Sequence, residues 1–152
     1  MKRQWKVVGA FIKIKLPNGR NSYGRILENA NYAFYDLITE NDNVNLEQIA
    51  NQKILFIVAV YDDAITSGRW IKIGKLPLEP DLQLLPPKFI QDKLNPDSFE
   101  LYNPNTGNTK SVIRQDCIGL ERAAVWEPNQ VEDRIIDYLN SKPNIWVERM
   151  KA

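Results

Sequence analysis

Residues 7–37, VVGAFIKIKLPNGRNSYGRILENANYAFYDL, decide the fold of this chain. Val8, Ala10, Ile12, Ile14 and Leu16 fall on one side of an extended backbone and Lys13 and Lys15 on the other, the period-two pattern of a half-buried strand. Pro17-Asn18-Gly19 supplies a turn, since proline presets one turn dihedral and glycine accepts the left-handed one. A second strand is expected from residue 23 to residue 27, a turn at Asn29-Ala30-Asn31, and a third strand over residues 32–37, whose aromatic rings suit a pleated surface. Three strands joined by tight turns begin a meander.

Downstream, Asn45 with Gln48 three residues later, backed by Leu46, Ile49 and Ala50, has the pattern of a short capped helix. Residues 54–61 are continuously apolar and rich in branched side chains, which predicts a central strand covered on both faces and ended by Asp62-Asp63. A Thr66-Ser67-Gly68 turn leads into residues 70–75, where Ile71 and Ile73 alternate with Trp70 and Lys72. Between residues 76 and 96, Pro77, Pro80, Pro86, Pro87 and Pro96 confine regular structure to residues 88–91 and predict a fixed surface wrap.

Residues 98–102 and 109–113, joined by Pro104-Asn105-Thr106-Gly107, have the pattern of a late hairpin, and a further strand is expected over residues 118–126. Pro128 at a first helical position, with Val131, Ile135, Tyr138 and Leu139 at helical spacing, predicts a C-terminal helix that ends near Asn140 and packs across the sheet. The expectation is one α+β domain over residues 1–152, mainly antiparallel: a barrel-like twisted sheet with a short helix and a C-terminal helix.

Composition narrows the function classes. With 152 residues, 43% hydrophobic and 26% charged, the chain can bury an ordinary core. The apolar run at 54–61 is far shorter than the ~20 residues of a membrane-spanning helix. The apolar stretch at 7–12 is broken by Lys13 and Lys15 and lacks the cleavage site of a signal peptide, so a cytoplasmic protein without a membrane partner is expected. Cys117 is the only cysteine and there is no histidine, which removes internal disulfides, histidine-ligated zinc and histidine-based nucleophilic sites. No catalytic residue, metal or cofactor is therefore expected.

Net charge is +1, yet residues 1–27 carry seven Lys or Arg and no acid, while residues 28–64 carry seven acids and only Lys53. Basic strands paired beside acidic ones account for this better than a polyanion site. Asp62 and Asp63, as neighbours on a strand, point to opposite faces and cannot share one ion. Cys117 has Arg114 nearby to stabilise a thiolate but Asp116 to oppose it, the setting of a small buried cysteine. The candidate binding residues are Tyr23, Arg25, Tyr35, Asp36, Arg69, Trp70, Glu121, Arg122 and Trp126, because Arg beside Tyr or Trp is the composition of interface anchors. The same composition builds structural networks, with Arg stacked on a ring and paired with Asp36 or Glu121.

Six blocks in one order carry a family resemblance: Gly9-Ala10-Phe11-Ile12-Lys13-Ile14, Ser22-Tyr23-Gly24-Arg25-Ile26-Leu27, Ala33-Phe34-Tyr35-Asp36, Ala64-Ile65-Thr66-Ser67-Gly68-Arg69-Trp70, Phe89-Ile90-Gln91-Asp92, and the stretch from Gly119-Leu120-Glu121-Arg122 through Trp126 to Pro128. The chain resembles the immunity protein 26 family over about residues 8–140. The resemblance implies a mostly β fold and a role in a bacterial polymorphic toxin system, where a small immunity protein binds and blocks the toxin encoded beside it. It assigns no site residue. Its implied partner is a cognate toxin, with no nucleic acid and no oligomeric state specified.

Two other classes fit some residues. A carboxylate hydrolase of phosphotriesterase type would use Asp36, Asp62 and Glu121 around Mg²⁺ or Mn²⁺, although the missing histidine departs from most such enzymes. A small nucleic-acid-binding barrel would use Lys13, Lys15, Arg20, Arg25 and Tyr23.

Overall fold

The meander at residues 7–37 forms the centre of the architecture. In the computed structural model, which describes residues 3–152, the chain runs β1 (Ala10–Lys15), β2 (Asn21–Ile26), β3 (Asn31–Thr39), α1 (Leu46–Ala50), β4 (Ile54–Val60), α2 (Asp63–Thr66) and β5 (Ile71–Lys75). It continues through α3 (Pro80–Gln83), β6 (Lys88–Gln91), β7 (Phe99–Tyr102), β8 (Thr109–Val112), β9 (Val125–Trp126), α4 (Pro128–Leu139) and α5 (Ile145–Met150). The first sheet has six strands in the order β5-β1-β2-β3-β4-β9, antiparallel except for the last pair, and the second has three, β6-β7-β8. The class is α+β with mostly antiparallel strands, as expected.

Local chemistry explains the meander. Asn29 and Ala30 both adopt positive φ, 53° and 63°, the hand of turn whose twist matches the strands it joins. Alternation then sorts the side chains. Ala10, Ile12, Ile14, Ile26, Tyr32 and Phe34 face a core completed by Trp70, Trp126 and by Val131 and Ile135 of α4. The opposite face is not left to solvent: Phe11, Tyr23 and Tyr35 pack with Ile49 of α1, and Leu27 and Ala33 with Leu82 and Leu85 around α3. Phe89, Phe99 and Cys117 form a separate cluster on the second sheet.

Several expectations need correction. The sheet is not closed into a barrel: its edges are β5 and the two-residue β9, and α4 covers one face with the residues that a barrel would turn inward. Strand β4 lies one place from the edge rather than at the centre, so Ile54, Leu55 and Ile57 stay half-buried. Of the strand expected at 118–126, Arg122 makes an isolated bridge to Phe89, and Val125 and Trp126 form a two-residue strand, in parallel with Ala59 and Val60, before Pro128 opens α4. The residues after Asp62 form the short helix α2 rather than a bare turn, and α5 follows Pro143, capped by Asn144. On edge strand β5, Ile71 and Ile73 are exposed, while Trp70, just before it, is buried.

Candidate functional site

The nine candidate residues fall into separate clusters, and most hold elements together. Arg25 is fully buried on β2, its guanidinium 4.0 Å from the Phe11 ring centroid. Its Nε donates to the Gly9 carbonyl at 2.7 Å, Nη2 to the Leu76 and Pro77 carbonyls, and Nη1 to Glu79 at 3.0 Å. Gly9 permits this approach: at φ +91°, a Cβ there would stand 2.9 Å from the Leu76 oxygen. Tyr35 stacks with Phe11 at 6.2 Å between ring centroids, with its hydroxyl buried and unpartnered, and Tyr23 shares a 2.7 Å hydrogen bond with Thr39 Oγ1. Burial pushes the Tyr35 phenol above the ordinary range, against the pull of Arg25.

Arg69 and Trp70 converge on Glu132 of α4. The guanidinium binds both carboxylate oxygens at 2.9 and 2.8 Å, and the indole Nε1 donates to Oε2 at 2.9 Å. Glu132 is buried, Trp70 is fully buried between Tyr32 and Phe34, and the Arg69 side chain keeps 43% of its exposure. Glu121 is held by Arg134 at 3.0 and 2.8 Å, and that Arg lies over Phe56 and near buried Trp126. Arg122 stacks on Phe89 and reaches Gln91 and the carbonyls of Met150 and Lys151, which ties the C-terminal segment to the second sheet. Asp36 accepts from the Tyr138 hydroxyl at 3.2 Å, and that bond holds the Tyr138 phenol above its usual range.

These positions withdraw support from the two other classes. Asp36, Asp62 and Glu121 are each engaged by a different group, Tyr138, Lys6 and Arg134, and among the described residues no three His, Cys, Asp or Glu stand together as a metal site. Arg25 and Tyr23 are buried, while Lys13 of β1 and Arg20 in the β1–β2 turn pair with Asp42 and Glu40 in the segment after β3, outside the strands themselves. Burial first, and then Asp116, pushes the Cys117 thiol up, so it is not an activated nucleophile.

A cleft of about 270 Å³ lies where the two sheets meet, lined by Asn29, Asn31, Ala59, Lys88, Tyr102 and Pro104 among others. Lys88 and Tyr102 are cross-strand partners and so share a face of the second sheet, while Asn31 and Ala59 share one on the first. Lys88 is 4% exposed, and its Nζ donates to Asn31 Oδ1 at 2.7 Å. Burial pushes its ammonium below the ordinary lysine range, opposed by the charge of Glu121. Sequence reasoning missed Lys88, Glu132 and Arg134. In sequence Lys88 is a polar residue opening a short strand, and nothing there signals that its side chain turns inward.

The fold and these clusters define a small α+β protein whose arginines and aromatic rings lock its elements together. The family model Immunity protein 26 matches residues 7–100, more than half of the chain, and the chain belongs to that family. The block at 119–128 lies beyond the matched stretch. Searches of curated proteins and of solved structures find no match.

Proposed function

We propose that the chain is a bacterial immunity protein that binds and neutralises a cognate polymorphic toxin in the cytoplasm, without turnover. The observation that carries this reading is the family membership. The engaged state of Asp36, Asp62 and Glu121 supports it, because a hydrolase would need them free and together. No helix among the described residues is long and apolar enough to cross a membrane.

Of the candidate residues, Arg69 is the most available to a partner, with buried Trp70 and Glu132 fixing it from below and exposed Ile71 beside it. A half-exposed Arg held in place by two carboxylate bonds presents its remaining surface at low entropic cost. The test is co-expression with the toxin encoded beside the gene. The chain should protect cells and co-elute with a catalytically inactive form of that toxin. Arg69→Ala, confirmed as folded by circular dichroism, should protect less well; full protection by that folded variant removes Arg69 from the contact.

A further inference from the structure

Lys88 sits where physics disfavours it. An ammonium has three N–H donors, and a buried cation ordinarily meets a carboxylate or several acceptors. Lys88 Nζ has the single neutral acceptor Asn31 Oδ1, and among the described residues no carboxylate pairs with it. Glu121, the carboxylate whose charge reaches it, is bound by both Nη atoms of Arg134. The Asn31 amide is fixed by donating through Nδ2 to the Glu28 and Asn29 carbonyls, so its oxygen is committed to Lys88. At one end of the cleft Asn29 Nδ2 donates to the Pro104 carbonyl at 2.8 Å and fixes these two lining residues to each other.

We propose that this cleft is the socket for an acidic side chain of the toxin, whose carboxylate takes the two remaining N–H donors of Lys88. The proposal rests on the toxin-binding reading and deepens it. Charge complementarity selects the occupant: a carboxylate supplies both the missing acceptors and the missing negative charge, and its delivery by a protein side chain suits a cleft of about 270 Å³. No bond forms or breaks, so the site is a recognition site. The free chain then holds an ammonium without a paired carboxylate, which the complex supplies.

The experiment has two arms. In the free chain, the NMR signal of the Lys88 CεH₂ group is followed during addition of sodium acetate at constant ionic strength. It should shift saturably, with no comparable response to chloride or inorganic phosphate. No response to acetate, or an equal one to phosphate, overturns the carboxylate assignment. In the second arm, Lys88→Met is compared with the native chain for its melting temperature and its affinity for the inactive toxin. The variant should melt at the same or a higher temperature and bind on the order of tenfold or more weakly. A lower melting temperature would make the ammonium a structural group, and unchanged affinity would take the toxin out of the cleft; either overturns the proposal. A native chain that does not bind the toxin defeats the underlying reading, and this control shows it before any substitution is made.

Discussion

Glu132 is the residue that ties α4 to the segment opening β5. It accepts from Arg69 and from the Trp70 indole while 4% exposed, so removing it strands a buried N–H donor and loosens α4 from the start of β5. Glu132→Ala should cost about 2–3 kcal/mol of stability, since an orphaned buried donor bears its full desolvation penalty. Denaturant melts check this, and a loss below about 0.5 kcal/mol would mean that water replaces the carboxylate there. Lys88 gives a pH signature. Its folded pKa is depressed, so the unfolded chain holds the proton more tightly, and the penalty is full below the folded pKa. As pH rises from that depressed value to the ordinary lysine range, the native chain should gain stability relative to Lys88→Met, in parallel melts of the two. Equal pH profiles would show no depression. Neither role is legible in the sequence: Glu132 and Lys88 are charged residues on patterned elements, and their burial depends on partners 62 and 57 positions away.

Helix α4 was legible because its apolar spacing and N1 proline are local signals, and its observed span, Pro128–Leu139, follows them. Ile135 is fully buried, so Ile135→Ala should cost ~2–5 kcal/mol, whereas Tyr138, 45% exposed at the end of the same stripe, should tolerate Tyr138→Phe within about 0.5 kcal/mol. Helix α1 was equally readable. Its capping box is complete, with Gln48 N donating to Asn45 Oδ1 at 2.9 Å and Asn45 N to Gln48 Oε1 at 2.8 Å, so Asn45→Ala should cost about 1 kcal/mol. Strand β9 was legible only as the end of a longer expected strand, and helix α5 was not legible. The pairing of Val125 and Trp126 with β4 is set by where the chain returns after the second sheet, and α5 has six residues and no buried one. The open sheet was hidden for the same reason, since closure depends on long-range register rather than on alternation.

At the scale of the whole molecule, the second sheet is tied to the first by a side-chain hydrogen bond and an isolated backbone bridge rather than by an extended strand ladder. Asn29 Nδ2 reaches the Pro104 carbonyl, and Phe89 pairs with Arg122 in the segment that leads to β9. We expect these ties to make the chain unfold as one unit, with tryptophan fluorescence and far-ultraviolet circular dichroism giving coincident transitions. Two separated transitions would divide it into independent parts. The central claim is neutralisation by binding, and stoichiometry tests it most directly. Toxin activity should be measured while the chain is added at concentrations well above the dissociation constant. Activity should fall in a straight line and reach its floor near one equivalent, because each inhibited toxin holds one immunity protein. Inhibition completed by a small fraction of an equivalent, or full activity at a large excess of the chain, would contradict the account.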